Sequence, residues 1–169
     1  MTYPFPVPPQ GLLTPIDPAV KALVDAIKRK DPSAVIALPQ LEFLVANQLL
    51  SVDDVASYIG YIAQSYPSYI GHIAGAFSKA YTPIFSSQVL SQTAYIPLSA
   101  VAAILNYADP TAAAAILAQT AYIPVTMSAQ VLAQTAYISV SQAAAILAQT
   151  SYLPVSISAS ILRQTAYLP

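Results

Sequence analysis

The chain is expected to be all-α: a tandem array of short antiparallel helices in units of about fifteen residues, α-solenoid-like, behind a proline-rich extended arm. Three observations predict this. An apolar pair recurs at near-constant spacing through the second half, alanine runs fill the units, and only four glycines occur in 169 residues. Alanine is the strongest helix former, and a fixed period is the mark of stacked units. The strand-like text Thr120-Ala121-Tyr122-Ile123-Pro124-Val125 argues for a β-solenoid instead. The alanine runs outweigh it, because alanine fits a pleated surface poorly.

The arm is residues 1–17. Pro4, Pro6, Pro8, Pro9, Pro15 and Pro18 all fall in the first eighteen residues. Proline locks φ and removes the amide donor, so this stretch should be extended and polyproline-like. A frayed tail is the plain reading. The sharper one is an arm lying on a neighbouring subunit, where stiffness lowers the entropy cost of docking.

Residues 18–169 read as a single helical domain, with a degenerate, charged half over 18–84 and regular repeats over 85–169. Asp17-Pro18 offers an N-cap followed by proline at the first helical position. Val20, Leu23, Val24 and Ile27 then recur at helical spacing, up to the cations Lys28-Arg29-Lys30 that suit a helix C-terminus. Asp31-Pro32 breaks that helix, and a second is expected from Gln40 to Leu50. Ser51-Val52-Asp53-Asp54 reads as a cap with acids in the first turn of a helix running to about Ser65. Pro67-Ser68 and Thr82-Pro83 mark two further starts.

The repeat itself is carried by Val89-Leu90, Ile104-Leu105, Ile116-Leu117, Val131-Leu132, Ile146-Leu147 and Ile161-Leu162, spaced 15, 12, 15, 15 and 15 residues apart. Thr111, Thr126, Ser141 and Ser156 each stand five residues before the Ile or Val, where an N-cap is expected. About eleven helical residues and a four-residue link would fill each unit of fifteen. Links that short turn consecutive helices antiparallel and pair them into hairpins of thirty residues, near the period of known helix-hairpin solenoids.

Three registers accompany the repeat. Tyrosines recur at 95, 107, 122, 137, 152 and 167, and Gln-Thr at 92–93, 119–120, 134–135, 149–150 and 164–165. Apolar residues, among them Ile123, Ile138 and Leu153, sit in the links. The Gln-Thr pairs are expected to hydrogen-bond to nearby backbone, since buried polar groups are paired; a periodic ligand groove is the alternative. The tyrosines should pack with their hydroxyls reaching water or a carbonyl, although a membrane-interface belt or a stacking platform for nucleic-acid bases would read the same. Apolar links and helices apolar nearly all round ask for more cover than one chain supplies. Pro4, Pro6, Pro8, Pro9, Tyr122, Tyr137, Tyr152, Tyr167, Ile123, Ile138 and Leu153 are therefore the candidate assembly and packing residues.

Composition sharpens that expectation. The chain is 56% hydrophobic and 8% charged with a net charge of −1, against about 25% charged residues in an ordinary soluble domain. Eleven of the thirteen charges precede residue 85, leaving Asp109 and Arg163 to the repeats. Surfaces this poor in charge associate. Arg163 reads as a polar substitution in a terminal, capping unit. No apolar run reaches the roughly 20 residues of a membrane span. The N-terminus lacks the basic and apolar regions of a secretory signal, so no signal-peptide export is expected.

A search for chemistry returns nothing that assembles into a site. There is no cysteine, and the one histidine, His72, has no carboxylate three or four residues away. Gly60, Gly71 and Gly75 do not form a phosphate loop. No catalytic, cofactor-binding or metal-ligating residue is therefore assigned, and no enzyme activity is expected. Lys28, Arg29 and Lys30 are candidate phosphate contacts should many copies line a lumen; a solvated helix end is the plainer reading.

These readings converge on a non-enzymatic structural subunit. It should self-assemble with copies of itself into a helical filament or shell, with a virion coat or nucleocapsid protein favoured over an extracellular fibre. Nucleic acid is then a candidate partner. The alternatives are an α-solenoid protein-binding module, which should show a varied, charged concave face, and a membrane-surface helical protein, which should show a basic amphipathic helix.

Overall fold

The computed structural model describes residues 17–163. Among the described residues there are ten α-helices, two short 3-10 segments and no strand. The expected arm, Pro4, Pro6, Pro8 and Pro9 included, lies outside the described residues, as does Tyr167.

Helix α1, Pro18–Lys28, starts where Asp17 accepts a hydrogen bond from Ala19 N at 2.8 Å. The chain then turns through Lys30, whose φ of 61° is left-handed. Of the helix expected from Gln40 to Leu50 only Leu41–Ala46 forms, and the chain leaves it through Gln48, whose φ of 61° is left-handed. A 3-10 segment, Pro32–Gln40, precedes a short α2, Leu41–Ala46. Pro39 inside the 3-10 segment lacks the amide that a continuous α-helix would need. Helix α3, Val52–Ser65, opens with a complete capping box: Asp54 N donates to Ser51 Oγ, and Ser51 N to the Asp54 carboxylate. After a 3-10 turn at Pro67–Tyr69 come α4, Ile70–Lys79, and α5, Pro83–Leu90, capped by Thr82.

From α5 onward the period governs the helices. Next come α6, Leu98–Tyr107; α7, Pro110–Leu117; α8, Val125–Leu132; α9, Val140–Leu147; and α10, Val155–Leu162. From Pro83 on, helix starts stand 15, 12, 15, 15 and 15 residues apart, matching the apolar pairs. In the twelve-residue step α6 runs on through Asn106 and Tyr107, and only Ala108 and Asp109 join it to α7.

The unit divides differently from the expected eleven and four. Each of α7 to α10 is eight residues long, and the links between them are seven. The expected caps at Thr111, Thr126, Ser141 and Ser156 lie inside the helices; the N-caps are Asp109, Pro124, Ser139 and Pro154, two residues earlier. Proline there carries no side-chain acceptor, but its fixed φ turns the extended link into the helix.

The links are longer because they fold on themselves. In 118–124 the Gln119 carbonyl accepts from both Tyr122 N, at 3.0 Å, and Ile123 N, at 2.9 Å. Gln92, Gln134 and Gln149 repeat the pattern with Tyr95 and Ile96, Tyr137 and Ile138, and Tyr152 and Leu153. The same glutamines reach back along their helices: Gln119 Nε2 lies 3.4 Å from Ala115 O, and Gln134 Nε2 3.3 Å from Gln130 O. This occupies carbonyls that a helix end leaves free.

Packing joins each helix to the one next but one. On one side α1 packs on α3, α3 on α5, α5 on α7 and α7 on α9; on the other, Pro32–Gln40 packs on α4, α4 on α6, α6 on α8 and α8 on α10. Next-but-one contacts thus run through both the first and the second half of the described residues. A contiguous core runs from Val24 to Ile161.

Candidate assembly surface

The link places its two apolar side chains on opposite sides. Ile123, Ile138 and Leu153 are buried in the chain's own core, while Tyr122, Tyr137 and Tyr152 are exposed. Cover for the link aliphatics is therefore intramolecular, and the missing cover that their apolar character suggested is not needed at these positions. The tyrosines remain available, together with the exposed Tyr95 and Tyr107. Tyr152 also reaches across to line a shallow depression of about 230 Å³ with Phe77, Tyr81 and Thr111.

The basic trio is split. Arg29 pairs with Asp31 at 3.3 Å, Lys30 Nζ stands 5.9 Å from the centre of the Tyr61 ring, and Lys28 is exposed at the end of α1. Hydrogen bonds from the Ser33 hydroxyl and amide hold the Asp31 carboxyl below the usual carboxylate range, helped by Arg29. Asp31 thus stays anionic beside Arg29. Sequence spacing gave no sign of what else stands here. Tyr61 packs edge-on against Tyr66 at 6.3 Å, and Tyr66 against Tyr69 at 5.9 Å, so a run of three tyrosines begins at the ring that Lys30 approaches.

His72 borders a groove of about 410 Å³ with Leu38, Pro39, Gly75 and Lys79, and no carboxylate lines it. Among the described residues no group of three or more His, Cys, Asp or Glu side chains is placed to hold a metal ion. No helix among them is long and apolar enough to cross a membrane.

Among the described residues, α9 and α10 leave large apolar side chains exposed. Val140 and Val155, the first residues of α9 and α10, are 70% and 66% exposed, and Leu162 is 55% exposed. At the opposite end Ile36 and Phe43 are exposed, but α1 beside them shows Lys21, Asp25 and Lys28 to solvent.

Comparison with models of known protein families, with curated proteins and with solved structures finds no match.

Proposed function

We propose that this chain is a non-enzymatic structural subunit that assembles with copies of itself into a filament or shell, built from an α-solenoid-like array of antiparallel helices. The antiparallel reading is supported where helix ends meet helix starts. Asn106, in the last turn of α6, accepts from Ser139 N at the start of α9 at 3.0 Å. Ser78, near the end of α4, accepts from Asp109 N at the start of α7 at 2.9 Å.

The observation that carries the assembly reading is the set of apolar side chains left exposed among the described residues, Val140, Val155 and Leu162 with Ile36 and Phe43, on a chain with only 8% charged residues. Burying an exposed leucine or valine side chain contributes about 1.5–3 kcal/mol, so several left exposed favour association.

A virion coat or nucleocapsid subunit is favoured over an extracellular fibre. Lys30 over the Tyr61 ring, which leads to Tyr66 and Tyr69, joins a cation to aromatic rings, and Lys28 is exposed nearby in sequence; cations with aromatic rings are the combination that holds phosphates and stacks bases. One such patch per subunit becomes an array in a polymer.

Negative-stain electron microscopy of the purified protein tests the proposal, with a nuclease digest and an A260/A280 ratio alongside. Regular filaments or shells are expected, with nuclease-protected nucleic acid in the coat reading. Dispersed particles of one chain each would turn the interpretation to a solenoid binding module, and binding to lipid vesicles without polymers to a membrane-surface protein.

A further inference from the structure

Three tyrosines stand together in the first half, whereas each later repeat unit carries one. Tyr61 lies toward the end of α3, and Tyr66 leads into the 3-10 turn Pro67–Tyr69. Backbone hydrogen bonds fix that turn: Tyr66 N donates to Ile62 O at 2.8 Å, and Tyr69 N to Tyr66 O at 2.9 Å. The Tyr61 and Tyr69 residues are 38% and 36% exposed, with Tyr66 half-buried and in ring contact with both.

Two features bring Lys30 to this run. Its φ of 61° is left-handed, a conformation that suits glycine and strains a lysine. Its turn is also anchored to α3, because the Tyr58 hydroxyl donates to Asp31 O at 2.8 Å. Tyr61 is about one helical turn beyond Tyr58, and the Lys30 ammonium stands 5.9 Å from its ring centre. Among the described residues no other tyrosine ring has a cation over it. Arg29 is engaged by Asp31, so exposed Lys30, with Lys28 exposed just before it, faces an outside anion. Gln48 takes the same φ of 61° past the end of α2 and carries no charge.

We propose that Lys30, Tyr61, Tyr66 and Tyr69 form a binding site for single-stranded nucleic acid, in which bases stack on the exposed Tyr61 and Tyr69 rings and Lys30 holds a backbone phosphate. This rests on the coat-protein reading and names the partner of that patch. Chemistry selects the single strand. Rings stack only on bases that have left a duplex, and a lysine or two neutralises too few phosphates to hold a duplex by charge alone. Stacking asks for no particular base, so binding is independent of sequence. Salt weakens it gently, with a slope of about −0.7 for each phosphate on a single strand. Repeated along a polymer, such weak sites act together on one strand.

Fluorescence anisotropy of a fluorescein-labelled oligothymidylate reads the site, with labelled duplex DNA for comparison. Wild type should bind the oligothymidylate more tightly than the duplex. Tyr61→Leu keeps an apolar side chain on α3 and should weaken binding about tenfold, while Tyr61→Phe keeps the ring and should retain it. Lys30→Gly relieves the left-handed backbone, so it should raise the denaturation midpoint and yet weaken binding. Gln48→Gly relieves the same strain and should raise the midpoint with binding unchanged. That pair of variants separates binding from folding. An oligonucleotide bearing iodouracil should photo-cross-link to Tyr61 or Tyr69 rather than to Tyr95, Tyr122, Tyr137 or Tyr152. Binding untouched by Tyr61→Leu and Lys30→Gly, or cross-links confined to the periodic tyrosines, overturns this site and leaves the coat reading standing. A proline-rich peptide bound in preference to the oligothymidylate, and lost in the same variants, overturns the nucleic-acid assignment, since such segments also dock on aromatic rings. Wild type that binds no oligothymidylate overturns the site together with the nucleic-acid part of the coat reading. Patch-dependent binding by a chain that forms no filament or shell keeps the site and ends the coat reading.

Discussion

Gly60 of α3 lies directly against the carbonyl group of Tyr95, in the link between α5 and α6. A Cβ added at Gly60 would overlap the Tyr95 oxygen and stand 2.9 Å from its carbon. Both groups are backbone, so neither can rotate away. The small residue sets how closely the first repeated link can settle on the helix beneath it. A Cβ at Gly75 of α4, by contrast, would meet nothing within 4 Å.

Gly60→Ala should therefore destabilise the fold by about 1–3 kcal/mol, the usual cost of forcing atoms into a packed contact. Gly75→Ala should stabilise it by about 0.5–1 kcal/mol through helix propensity alone. Urea unfolding of both variants reads this opposite pair of signs. Equal effects would mean that the Gly60–Tyr95 approach is not tight.

Gln142 donates to Leu105 O at 3.1 Å and Ala108 O at 2.8 Å, tying the first turn of α9 to the end of α6. The corresponding residues of the neighbouring units are Ala112, Met127 and Ile157, so this bridge occurs once. Gln142→Ala should cost about 1–3 kcal/mol because two carbonyls lose a donor. Hydrogen exchange should show the loss concentrated in α9 and α10.

Ser128 sits where the units on either side carry Ala113 and Ala143. Its hydroxyl is buried with no hydrogen-bond partner among the described residues. Ser128→Ala should raise stability by about 1 kcal/mol, since an unpaired buried hydroxyl is a net cost. A fall in the denaturation midpoint would show that the hydroxyl has a partner.

Stability should narrow at both ends of the pH scale. Hydrogen bonds from Ser33 and Thr111 lower the carboxyl groups of Asp31 and Asp109. Their contribution is complete above the unfolded value, about 3.9, and disappears as pH falls through the lower folded values. Burial raises the Tyr58 and Tyr81 phenols, with Asp31 and Glu42 respectively adding to it. Their contribution is present below about 10, the unfolded tyrosine value, and is lost as pH climbs above it. Thermal melts across pH should show both limbs. Asp109→Asn, which keeps an acceptor at its turn, should flatten only the acid limb, whereas Asp31→Asn should also narrow the alkaline one, because its charge helps to raise Tyr58.

Much of this architecture is legible in the amino-acid order, and the misreadings have local causes. The apolar pairs locate every helix from α5 to α10, because the same residues that mark the period also fill the core. Boundaries are harder to read. Thr126 and Ser156 have the side chains of N-caps, while Pro124 and Pro154, which occupy that place, have none. Gln119 to Ile123 lacks glycine, yet backbone hydrogen bonds close it into a compact turn. That makes the links longer than a search for turn residues suggests. Residues distant in sequence also hid the meeting of Lys30 with Tyr61.

The most direct test of the account is sedimentation velocity of the wild-type chain from micromolar to sub-millimolar concentration. Self-assembly predicts species that grow with concentration beyond the 17.8 kDa of one chain. A single 17.8 kDa species across the whole range would contradict it.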